Sequence, residues 1–130
     1  MSFSHRLAVR YADTDAQGVV FFANYLTYFD EGLTYFLEHI GHPYSAFEGG
    51  DFVYVNSQCT YKGSATFGDH VDVEVVPTRV GRTSLTSRCT VRRGDEVLAE
   101  GELVNVYIGA DRRPKALPDA LRAALEAHGR

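Results

Sequence analysis

One stretch of the chain carries the period of a helix, and almost everything after it carries the period of a sheet. Between Phe22 and Ile40 the apolar residues Tyr25, Leu26, Phe29, Leu33, Phe36, Leu37 and Ile40 follow at steps of 1, 3, 4, 3, 1 and 3, which is one helix face. Thr27, Asp30, Glu31, Thr34 and Glu38 fall on the other side. Gly41 tolerates the left-handed conformation that ends a helix and Pro43 prevents continuation, so the helix should stop there. A broad aromatic face of this kind has to lie across something, and a sheet is the available cover.

The sheet is written in the second half. FVYVNSQCTYKG, HVDVEVVPTRVG, RTSLTSRCTVRR and EVLAEGELVNVYIG are rich in β-branched and aromatic residues and partly alternate. Turn signals at Gly63 to Asp69, Gly81 and Gly94-Asp95 separate them, and strands joined by such short links are expected to pair antiparallel with their neighbours in sequence. SHRLAVRYA supplies a first strand before the helix, and LPDALRAALEA, with Pro118 and Asp119 placed as a first turn, supplies a short C-terminal helix. The expectation is an α+β fold: a long central helix wrapped by a curved antiparallel five-stranded sheet, with all of 1–130 forming a single domain. At 130 residues and 45% hydrophobic content the chain can bury a core without disulfides or a structural metal. The free edges of such a sheet need cover, so a homo-oligomer is expected.

Bulk properties remove several functions. A formal charge of −4 with interspersed signs lacks the basic stripe of a nucleic-acid binder. No apolar run approaches the roughly 20 residues of a membrane span, and MSFSHR has no apolar signal core, so a cytoplasmic protein is expected. Cys59 and Cys89 lie in strand-like runs with no CxxC spacing and read as free thiols. The five histidines, His5, His39, His42, His70 and His128, have no metal-ligand spacing, and neither HExxH nor GxSxG occurs. No metal is therefore expected.

The chemistry is concentrated at YADTDAQGVVFFANY, residues 11 to 25. Asp13 and Asp15 lie just before a helix N-terminus, whose free N–H groups carry partial positive charge and would polarise a carbonyl oxygen. Gly18 lets the backbone turn or approach a ligand. A carboxylate and N–H donors on one loop are what acyl transfer requires, although acids before a helix also serve as caps or turn formers.

Residue types and spacing together carry a resemblance. V-R-Y-A-D-T-D-A-Q-G-V-V-F-F-A-N-Y resembles the start of the 4-hydroxybenzoyl-CoA thioesterase-like branch of the hotdog-fold acyl-CoA thioesterases, with Asp13, Asp15, Gly18, Val20, Asn24 and Tyr25 matching its pattern of an aromatic, D-x-D-x-x-G-x-V and N-Y. Y-K-G-S-A-T-F-G-D-H-V-D-V and V-G-R-T-S-L resemble its later segments, with Gly63-Ser64 standing where the family usually has a residue and a proline. The resemblance implies an acyl-CoA thioesterase that cleaves an aromatic or short to medium-chain acyl-CoA with no cofactor beyond the coenzyme A of the substrate. Asp15 would be the catalytic carboxylate, as nucleophile or general base, and the backbone amide of Phe22 the oxyanion donor. Gly18, Val20, Asn24 and Tyr25 would line the substrate site, with capping and core packing as the other reading of Asn24 and Tyr25. Arg82 stands among the basic residues available to the coenzyme A phosphates. In another branch of the superfamily the catalytic acid sits on this helix, which makes Glu31 a secondary candidate beside the reading of a solvated or subunit-facing charge. Relatives imply a homotetramer built as a dimer of dimers, with a homodimer as the simpler state. Competing readings on the same fold are an acyl-CoA-binding accessory module and an enoyl-thioester hydratase. The hydratase typically pairs its aspartate with a nearby histidine, which Ala16 to Phe21 lack.

Overall fold

The structure, a computed structural model, describes residues 3–129. Strand β1 (Phe3–Ala8) leads through a 3-10 turn at Tyr11–Asp13 into a small hairpin and then helix α1 (Asn24–His39). Strands β2 (Gly50–Tyr61), β3 (His70–Val80), β4 (Ser84–Arg93) and β5 (Glu96–Gly109) follow, and then helix α2 (Asp119–Ala127). The strands form one antiparallel sheet in the order β1-β3-β4-β5-β2. This is the α+β architecture that the periodicity implies.

Helix α1 begins two residues after Phe22, where the sequence would start it, because Asn24, Tyr25 and Leu26 donate to the carbonyls of Phe21, Phe22 and Ala23 in tight i to i+3 bonds. Its far end is a Schellman motif. His42 N–H reaches Leu37 O at 2.8 Å, Gly41 N–H reaches Glu38 O at 3.0 Å, and Gly41 has φ 86°.

One sequence expectation fails. β2 and β3 are consecutive but do not pair; β2 crosses to the opposite edge and joins β5. The link 62–69 does not close a hairpin because its backbone is claimed elsewhere. Ala65 O accepts from Val20 N–H at 2.9 Å, Ala65 N–H donates to the Tyr25 hydroxyl at 3.0 Å, and Asp69 O accepts from Val9 N–H at 2.8 Å. The crossing therefore ties the start of α1 to the start of β3.

The concave face of the sheet takes the aromatic face of α1. Phe29, Leu33, Phe36 and Leu37 bury against Val71, Val73 and Val75 of β3, Leu85, Cys89 and Val91 of β4, and Leu103 and Tyr107 of β5. Gly32 is the point of closest approach, since a Cβ there would stand 2.6 Å from Val73 Cγ1 and 3.0 Å from Val75 Cγ2. Register shifts at Tyr54/Asn56, Pro77/Arg79 and Val91/Arg92 bend the strands around the helix. Gly101, opposite both Cys59 and Cys89, has no room for a side chain: a Cβ there would collide with the Gln58 carbonyl oxygen and stand 2.8 Å from its carbon.

Candidate active site

The segment from Thr14 to Val20 is a miniature hairpin between β1 and α1. Thr14 bridges Val20, Asp15 N–H donates to Val19 O at 2.9 Å, and Gly18 N–H closes the turn on Asp15 O at 2.9 Å. Gly18 has φ 81°, and a Cβ at this position would meet nothing within 4 Å, so handedness and not space demands glycine. The Asp15 Oδ1 accepts from Gln17 N–H at 2.9 Å, while Oδ2 has no partner among the described residues. Half-exposed, Asp15 lines an open depression of about 430 Å³ with Tyr11, Thr14, Ala16 and Gly18.

Asp13 has the opposite environment. It is 5% exposed; its Oδ2 accepts from Arg10 N–H at 3.0 Å and Tyr28 O–H at 2.9 Å, and its Oδ1 accepts from Arg10 Nη2 at 2.8 Å. Burial alone would push this carboxyl up, but the Arg10 and Tyr28 hydrogen bonds hold it below the ordinary carboxylate range. Buried, with three donors shared between its two oxygens, Asp13 is held as part of the loop scaffold.

The start of α1 supplies the donors. Among the described residues, the N–H groups of Phe22 and Ala23 have no acceptor, and no side chain caps the helix. The Phe22 N–H is thus open, with Ala23 as a second open donor beside it. Asn24 spends its side chain on structure: Nδ2 donates to Asp13 O at 2.9 Å. Tyr25 is 2% exposed and Val20 is 3% exposed, and both bond to Ala65, so each packs beneath the site and supports it from the core. Arg82 is not brought to Asp15. It lies beyond the C-terminal end of β3 while the Asp15 hairpin packs near its N-terminal end, on the order of 30 Å apart along the strand. The Arg82 carbonyl instead anchors Leu117 N–H and Arg122 Nη2. Glu31 also points elsewhere, bonding His5 Nε2 at 2.8 Å.

Residues 17–100 match the thioesterase superfamily. The chain belongs to that superfamily. The 1,4-dihydroxy-2-naphthoyl-CoA hydrolase of Nostoc punctiforme is 30% identical, the match covering 100% of this chain and 90% of that one. The acyl-CoA thioester hydrolase YbgC of Escherichia coli O6:H1 is 28% identical, covering 95% of this chain and 96% of its own. Among solved structures, the hypothetical protein TT1821 from Thermus thermophilus superposes with a TM-score of 0.93 at 31% identity, covering 100% of this chain and 99% of that one. The helix and its wrapping sheet are the hotdog fold of these thioesterases.

Aromatic side chains crowd the surface of this thioesterase around the candidate site. Tyr11, Phe21, Phe22, Tyr61 and Phe67 are exposed aromatics around the hairpin and helix start. Tyr11 meets Phe67 edge-on at 5.9 Å, Phe21 lies 4.8 Å from Phe22, and Phe22 meets Tyr61 at 6.1 Å between ring centroids. Tyr61 ends β2 and Phe67 lies within the link that crosses to β3, and a hairpin reading of that link hides their proximity to Phe22 and Tyr11. The two thiols stand apart from this chemistry: burial pushes Cys89 up to about 12 and raises Cys59 as well, which disfavours the nucleophilic thiolate.

Proposed function

We propose that the protein hydrolyses an aryl acyl-CoA to the free acid and coenzyme A, using Asp15 as the reacting carboxylate. The reading rests above all on one observation: a carboxylate with a free oxygen lines an open depression on the same short hairpin that leads into unpaired N–H groups at a helix start. The thioester oxygen is held by Phe22 N–H, with Ala23 N–H adjacent, so that negative charge developing on it meets fixed donors. Asp15 either bonds the carbonyl carbon and expels the thiolate, leaving an anhydride for water to open, or takes the proton of the water that attacks. The exposed rings of Tyr11, Phe21, Phe22, Tyr61 and Phe67 favour a flat aromatic acyl group, as does the name of the Nostoc relative.

Thiol release from a panel of acyl-CoA substrates tests this. Hydroxylated benzoyl-CoA and naphthoyl-CoA should exceed hexanoyl-CoA in kcat/KM by about 10-fold or more, the scale on which apolar pockets discriminate. Equal or faster cleavage of the aliphatic substrate would discard the aromatic preference. Binding of coenzyme A esters without any cleavage would favour the accessory-module reading.

The working unit proposed is a homotetramer of two dimers. β2 leaves one edge unpaired with Tyr54 and Val55 exposed, and Arg82 follows the end of β3 away from the Asp15 hairpin. Basic groups for the coenzyme A phosphates would then come from a neighbouring subunit. Light scattering that returns the mass of a single subunit would remove this shared site.

A further inference from the structure

We propose that Tyr28 is a positioning residue for hydrolysis, holding the Asp15 hairpin in register with the start of α1 through the carboxylate of Asp13. The inference rests on the assignment of Asp15 made above and names a residue on which that site depends. Five hydrogen bonds converge on Asp13. Three reach its carboxylate, from Arg10 N–H at 3.0 Å, Arg10 Nη2 at 2.8 Å and Tyr28 O–H at 2.9 Å. Two reach its carbonyl, from Phe21 N–H and Asn24 Nδ2, both at 2.9 Å.

These donors come from different places. Arg10 precedes the hairpin, Phe21 follows it, and Asn24 and Tyr28 lie one turn apart on the same face of α1. Asp13 is therefore a clasp between the segment that carries Asp15 and the segment that presents Phe22 and Ala23. Tyr28 is the only one of its donors rooted in the hydrophobic core, 4% exposed, with its ring edge-on to Tyr25 at 5.8 Å. Through it the packing of the helix sets the position of the loop. Burial first, and then the hydrogen bond to Asp13, raise the Tyr28 hydroxyl well above its usual value, so it remains a donor across the working pH range. Sub-ångström placement of a reacting group has a large effect on rate, whereas binding of a remote nucleotide does not depend on it.

Steady-state kinetics of Tyr28→Phe, Arg10→Gln, Asp13→Asn, the double variant Tyr28→Phe/Asp13→Asn and Asp15→Asn test the clasp. Tyr28→Phe keeps the ring and its packing and should lower kcat by roughly 10-fold while KM changes little. Arg10→Gln loosens the same clasp from an exposed side chain and cannot disturb the core; it should lower kcat in the same way, which guards against a Tyr28 variant that melts. Because Tyr28 acts through Asp13, the double variant should lose no more kcat than Asp13→Asn alone. Parental kcat in both Tyr28→Phe and Arg10→Gln, or full additivity in the double variant, would overturn the clasp while loss of turnover in Asp15→Asn left the catalytic assignment standing. Parental turnover in Asp15→Asn would overturn both.

Discussion

Asp15→Asn is expected to lower kcat by roughly 100- to 10,000-fold, the range lost when a positioned acid-base group is removed. Asparagine retains an oxygen able to accept Gln17 N–H, so the hairpin turn, which otherwise depends on main-chain bonds and Gly18, should survive the change. The amide cannot accept a proton from water at neutral pH and is a poor nucleophile, so both chemical routes stop together. Unaltered melting and retained affinity for a non-hydrolysable coenzyme A thioether would show that only the reacting step has been removed. Hydrolysis at the parental rate would place the catalytic group elsewhere, although Asp13 and Glu31 are already engaged with Arg10, Tyr28 and His5.

The second large effect is structural. Gly101→Ala should lower stability by about 3 kcal/mol or more, the upper end of overpacking penalties. The reason lies in what the new methyl would strike: the Gln58 carbonyl group and, at 3.0 Å, Cys59 Cα, all main chain of the neighbouring strand. A side chain in the way can change rotamer, but strand β2 can move only by giving up its ladder with β5. Strand β2 also carries Tyr61 to Tyr25 and Phe22, and Tyr54 to Asp30, so its displacement would reach the site. For a chain of this size the loss corresponds to a fall in Tm of about 10 °C, readable by calorimetry. A Tm within experimental error of the parent would mean that the sheet flattens there at little cost.

The sequence discloses the parts of this molecule whose causes are local. Helix α1 is legible because its apolar positions keep one period and Gly41 ends it; the strands are legible because β-branched residues alternate between turn residues. The route of the chain from β2 to β3 is not legible, since residues 62–69 have hairpin composition and only Val20, Tyr25 and Val9, distant in sequence, divert them. The site divides in the same way. Gly18 and the Asp15 turn follow from the local string D-A-Q-G, and the catalytic reading follows from the resemblance. The contribution of Tyr28 needs the folded helix to bring residue 28 over residue 13. The charge of Arg82 is plain in the string, but charge alone does not reveal which end of a strand a residue occupies. Gly32 and Gly101 look in the string like ordinary weak points of a helix and a strand, whereas in three dimensions each marks a close approach of backbone to its neighbour.

The aromatic rim has a consequence for how such a protein changes over time. Tyr11, Phe22 and Phe67 are 77%, 59% and 64% exposed, while the groups that hold the hairpin, Asp13, Tyr25 and Tyr28, are buried. Exchanging exposed rings alters folding free energy by only about 0.5 kcal/mol, so if these rings meet the acyl group as proposed, preference for one acyl group over another can drift by single replacements without passing through an unfolded ancestor. Innovation in this lineage is cheap at the rim and blocked one layer beneath it.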